Sequence, residues 1–191
     1  MEIDYTQLKP YIITLSRISP AIKDYSKFIK AGVSGVTIEA GYLFDSQHKH
    51  QTVFRNPQAY TQAEKALSSG LPIGWMMPAR ARNVTEASEE IYQMSFEIRK
   101  YSPMLGAWLL LELKGSISEN DTILDRYKEE LHRLGLQNKI GLICTYTSLK
   151  TITWSQKQTD WSLWMIDPVK NLSELNSLLE PSFFDTEGKY V

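Results

Sequence analysis

The chain has 191 residues, 42% of them hydrophobic, with 21 basic against 22 acidic side chains and a net charge of -1. That is enough for a substantial core, and it leaves no global field to draw the protein to nucleic acid or an anionic membrane. The single cysteine, Cys144, excludes an internal disulfide and a multi-cysteine zinc site.

Strand-like and helix-like segments alternate along the chain. YIITLS (11–16) is short and β-branched, and SPAIKDYSKFIKAG (19–32) predicts a helix with Pro20 near its start and Gly32 as its stop. SGVTIEAG (34–41) reads as a second strand, and the polar stretch YLFDSQHKHQTVFR as a loop. NPQAYTQAEKALSSG follows as a helix capped by Asn56, with Pro57 in its first turn and Gly70 past its end. LPIGWMMP is a strand, VTEASEEIYQMSFEIRKY a long helix and GAWLLLELKG (106–115) another strand. In ENDTILDRYKEELHRLG the apolar residues Ile123, Leu124, Tyr127, Leu131 and Leu134 keep helical spacing up to a Gly135 stop. KIGLICTYT, with Cys144 read as a small buried hydrophobe, SLKTITW and WSLWMID continue the alternation towards a tail ending in SFFDTEGKYV.

Near-continuous apolar strands separated by helices imply parallel strands covered on both faces. Repeated in a chain this short, without a Gly-rich phosphate loop, they point to a small irregular β/α barrel. An open doubly wound sheet is the competing arrangement. No linker, low-complexity segment or internal repeat divides residues 1–191, which are expected to form one domain. No apolar run approaches the roughly 20 residues that cross a bilayer, so no membrane insertion is expected. MEIDYTQLKPYII lacks a basic segment before an apolar one, so no secretory signal is expected.

In a β/α barrel the C-terminal strand ends face the site. Acids in that position are Glu39, Glu112 and Asp167, with Asp185 joining them if SFFD is the last strand. Glu112 has two readings: a catalytic acid, or a carboxylate paired with Arg80 or Arg82 from the loop after the third strand. His48 and His50, the close histidine pair, fall short of the three or four ligands a metal site needs, and no metal or cofactor is expected. Acidic and basic residues of the long helix, Glu86, Glu89, Glu90, Glu97, Arg99 and Lys100, read as ordinary outer-helix patterning. Trp75 is the candidate aromatic of the cleft. Trp108 and Trp164, inside apolar runs, are expected in the core, and Trp154 and Trp161, flanking SQKQTD, at a rim.

The order of segments resembles the family 25 glycoside hydrolases, muramidases that cleave peptidoglycan. AGVSGVTIEAGYLFD looks like the family's second strand and the loop after it, with Asp45 at the loop acid. NPQAYTQAEKALSSGLPIGWMMPARARNVTEASEE is similar to its asparagine-led helix, third strand and following helix. GAWLLLELKG stands in place of the strand that ends in Asp-x-Glu, and IGLICTYTSLKTITW and DWSLWMID resemble the segments after it. The resemblance implies an irregular barrel, Glu112 as the candidate general acid, and Trp75, Arg80 and Asp45 as candidate substrate contacts.

The catalytic positions depart from that pattern. Residues two apart on a strand point to one side, so the family's two acids enter one cleft. Here those places hold Leu110 and Glu112, and Thr14-Leu15-Ser16 stands where the family has Asp-x-Ser. Glycosidic cleavage ordinarily uses a protonated acid and a second carboxylate. The expectation is therefore a catalytically degenerate muramidase-like domain, a structural or glycan-contacting module. The family's common settings suggest a phage tail or baseplate, with other virion proteins as partners, a virion location, and peptidoglycan as the glycan. Without a phage origin the protein is expected in the cytoplasm. The alternative is an active hydrolase pairing Glu112 with a relocated acid, Glu39 or Asp167, and Asp185 is the further acid near the last strand.

Overall fold

The computed structural model describes residues 11–19, 22–44 and 52–166. Asp45, His48, His50, Asp167 and Asp185 lie outside them. The elements run β1 (Tyr11–Leu15), α1 (Ser26–Lys30), β2 (Val33–Glu39), β3 (Gly41–Phe44), β4 (Thr52–Arg55), α2 (Ala59–Ser68) and β5 (Ile73–Ala79). They continue with α3 (Val84–Lys100), β6 (Ala107–Leu111), α4 (Ile117–Arg133), β7 (Ile140–Cys144), α5 (Tyr146–Leu149), α6 (Trp154–Lys157) and β8 (Ser162–Met165).

Six strands form one parallel sheet in the order β1-β2-β5-β6-β7-β8. The order never reverses, so the sheet is singly wound and curls as a half-barrel, not the doubly wound alternative. The stretch expected to be a loop after β2 instead contains a second small sheet, the antiparallel pair β3–β4. Glu39 closes β2, and Asn56 fastens that end: its Nδ2 donates to the Glu39 carbonyl at 2.8 Å and its N–H to the Ala40 carbonyl at 3.0 Å.

Alternation along the strands separates two faces. The outward set, including Val36, Ile38, Ile73, Trp75, Met77, Ala107, Leu109, Leu111, Leu142 and Cys144, is buried in one continuous core against the helical layer, where α2 meets β2 and β5 and α3 meets β5. The inward set is less covered: along β6, Ala107, Leu109 and Leu111 are buried while Trp108 and Leu110 are half-buried. Trp108 lies on the bare backbone of Gly141, where an added Cβ would come within 2.3 Å of the indole ring. It meets Trp164 edge-on with ring centroids 5.8 Å apart.

Local chemistry explains the helix limits. Asn83 caps α3, its side chain accepting from the N–H groups of Thr85 and Glu86. Ser116 and Glu119 form a reciprocal capping box that starts α4 at Ile117, two residues before the segment expected from the sequence. Gly70 and Gly135 stop their helices with φ of 80° and 84°. The first helix is much shorter than expected. Asp24 bonds the N–H and hydroxyl of Ser26 at 2.8 and 2.6 Å, and α1 begins only there. Asn56 stands two residues before the α2 N-cap, Gln58, whose N–H it accepts at 3.0 Å.

Candidate functional site

A cleft of about 220 Å³ opens at the C-terminal ends of β1, β2, β5 and β6, lined by Ser16, Arg17, Ile18, Glu39, Pro78, Arg80, Leu110 and Glu112. Register explains the gathering. Pro78 pairs with Leu110, the Glu112 N–H donates to the Ala79 carbonyl at 3.1 Å, and alternation brings Arg80 and Glu112 to the side shared by Pro78 and Leu110. Pro78 is tolerated inside the sheet because β2 has already ended at Glu39 beside Met76, where β5 would otherwise need a donor.

The cleft is charge-balanced, with two guanidinium and two carboxylate side chains. Arg80 Nε donates to Glu112 Oε2 in an ion pair whose members are each about one-third exposed. Glu39, 8% exposed, accepts the Arg17 N–H at 2.7 Å. Arg82 turns away to grip Glu86 on α3, Nη2 to Oε1 at 2.6 Å. Of the two cations expected near Glu112, Arg80 is the partner. Leu110 occupies the inward position next to Glu112 and supplies no hydrogen-bonding atom. Thr14 is exposed on β1.

Glu112, Glu39 and Arg80 therefore share one cleft. Trp75 does not: its side chain is fully buried and its indole N–H donates to the Tyr101 carbonyl at 2.9 Å. Gly74 takes the inward position, so Trp75 points to the helices, and its ring offers no face to a sugar. The other tryptophans are also rearranged. Trp154 and Trp161 are core residues at 3% and 2% exposure, while Trp108 and Trp164 are the half-buried pair on the inward face.

Behind the cleft lies a cluster that the sequence pattern conceals. Glu90 on α3 and Tyr127 on α4 are 2% and 0% exposed, and the tyrosine hydroxyl donates to Glu90 Oε2. The same carboxylate oxygen receives the Arg80 N–H at 3.4 Å, and the Tyr127 oxygen receives the Ala81 N–H at 3.3 Å. Burial pushes the Glu90 carboxyl from 4.5 up to about 7, against the lowering pull of the Tyr127 hydroxyl. Burial, reinforced by Glu90, drives the Tyr127 phenol well above its usual value. Glu97, 1% exposed, is held by Arg55. Both glutamates were expected on the outer face. The available signal was their spacing, because Ala87, Glu90, Ile91, Met94, Glu97 and Ile98 trace one buried stripe.

Among the described residues, no three His, Cys, Asp or Glu side chains converge as a metal site. Nor is any helix long and apolar enough to cross a membrane.

No family model and no curated protein matches the chain. Solved structures do, and they define the class as the fold of the glycoside hydrolase 25 muramidases. GHIP, a glycosyl hydrolase 25 of Streptococcus pneumoniae, superposes with a TM-score of 0.63 at 17% identity, over 82% of this chain and 67% of that one. A family GH25 lysozyme from Aspergillus fumigatus gives 0.62 at 15%, over 83% and 78%. The modular autolysin LytC of Streptococcus pneumoniae, in complex with a synthetic peptidoglycan ligand, gives 0.61 at 19% over 73% of this chain. This chain spans only 33% of that autolysin's length.

Proposed function

We propose that residues 1–191 act as one muramidase-fold domain that has lost hydrolysis and serves as a structural or glycan-contacting module, in a setting such as a phage tail or baseplate. The observation that carries this reading is the state of Glu112, the acid just past the end of β6. Glu112 is held by Arg80, and the inward side chain beside it is Leu110. To act as a general acid, Glu112 would have to give up Arg80, and no carboxylate stands at the Leu110 position to stabilise a positive sugar centre. A lone general acid contributes about 10²–10⁴-fold, well below the roughly 10⁶-fold at which enzymatic acceleration begins. The tail setting rests on where domains of this fold commonly occur. Peptidoglycan is the glycan of choice because a protein of the same fold holds such a ligand.

A second reading, an active hydrolase, draws on Glu39, which lines the same cleft. Its Oε2 already accepts the Arg17 N–H, so this pairing would need that loop to open. Incubation with purified insoluble peptidoglycan separates the readings. A glycan-contacting module co-sediments and releases no soluble muropeptides, and an assembly module stays in the supernatant and releases none. Soluble muropeptides from the natural protein would refute the proposal.

A further inference from the structure

The cleft and the Glu90–Tyr127 cluster behind it share one piece of backbone, Arg80–Ala81. Arg80 faces both ways: its N–H reaches Glu90 Oε2 and its guanidinium holds Glu112. The next N–H, Ala81, reaches the Tyr127 hydroxyl. The other Glu90 oxygen, Oε1, is buried with no hydrogen-bond partner among the described residues, although a buried carboxylate ordinarily fills its acceptor sites.

We propose that Glu90 and Tyr127 are positioning residues for the cleft: through the N–H groups of Arg80 and Ala81 they set how the Arg80 guanidinium meets Glu112, and loss or gain of the Glu90 proton changes that contact. When neutral, the Glu90 carboxyl is a weak acceptor, the Arg80 N–H bond is long, and Arg80 is left to Glu112. Once ionised, it draws both the Arg80 N–H and the Arg80 charge, so Glu112 is loosened and its oxygens become available to a ligand hydroxyl.

The groups facing Glu90 come from three elements. They are Glu86 on its own helix, which repels it but is itself gripped by Arg82; Arg80 beyond β5, which attracts it; and Tyr127 on α4. Two residues before Glu90 on α3, Ser88 donates to Glu130, whose charge is shared with Arg126 and Arg133. Burial in this setting raises the Glu90 titration to about 7. The inference rests on the cleft being the functional site, but its test needs neither ligand nor turnover, so it can fail or hold independently of the proposed function.

The test is the ¹⁵N-resolved Nε–Hε resonance of Arg80, identified by its loss in Arg80→Lys and followed between about pH 5 and about pH 9. The natural protein is expected to show one transition centred near pH 7. Glu90→Gln abolishes it. Tyr127→Phe moves its midpoint upward, because a hydrogen bond that favours the ionised form is gone. Glu86→Gln keeps the transition and moves its midpoint downward, because a like charge that raises the Glu90 titration is gone. A flat Arg80 signal in the natural protein overturns the proposal even if a variant fails to fold. So does a transition that survives Glu90→Gln or disappears in Glu86→Gln.

Discussion

Replacing Glu90 by glutamine should favour the variant over the natural protein more at alkaline pH than at acid pH. The side chain is 2% exposed, and its carboxyl is pushed by burial from 4.5 to about 7. Between those values the unfolded chain gives up a proton that the folded one keeps, so native stability falls as pH rises through the window and levels off above it. At about 1.4 kcal/mol per unit, the window costs the native protein about 3 kcal/mol. Glutamine carries no such penalty. It instead places an amide where Oε1 has no partner, a cost of roughly 1–3 kcal/mol that does not vary with pH. The diagnostic quantity is therefore the change in the difference between the two proteins, not its value at one pH. Urea denaturation at about pH 4.5 and about pH 8 should move that difference by about 3 kcal/mol in favour of glutamine. Glu97, also raised by burial, is common to both proteins and cancels. Parallel stability curves would refute the reasoning and mean that Glu90 ionises as readily folded as unfolded.

Two further substitutions test the assignment of the sheet faces. Trp75→Phe removes buried volume and leaves the Tyr101 carbonyl without its indole donor, so it should destabilise by roughly 2–4 kcal/mol in urea without a separate loss of peptidoglycan binding. Selective loss of binding at unchanged stability would return Trp75 to the cleft. Gly141→Ala drives a Cβ to 2.3 Å from the Trp108 ring and should cost roughly 1–3 kcal/mol, seen as a lower urea midpoint. An unchanged midpoint would mean that the Trp108–Trp164 pair shifts freely.

The parallel strands, the outer helices and the three glycine stops, Gly32, Gly70 and Gly135, were legible because each rests on local chemistry or on a long periodic run. The gathering of Glu39, Glu112 and Arg80 was legible too, since strand ends in this architecture converge. Strand parity was harder. IGWMM offers apolar residues on both sides, so nothing local says that Gly74 faces inward and Trp75 outward. The pairing of β5 with β2 and β6 decides it. The β3–β4 ladder was hidden by polar composition, since an antiparallel pair needs cross-strand partners more than an apolar run. Glu90 and Glu97 were hidden by their charge. Their positions in the buried stripe of α3 outweighed residue type, because Tyr127 and Arg55 were in place to satisfy them.

The central claim, that the cleft no longer cleaves glycan, is tested most directly by release of reducing ends from purified peptidoglycan. The natural protein and Glu112→Gln are compared at high concentration from acid to neutral pH. Neither should release reducing ends above background. Release by the natural protein that vanishes in Glu112→Gln would contradict the claim and identify Glu112 as a working acid despite Arg80 and Leu110.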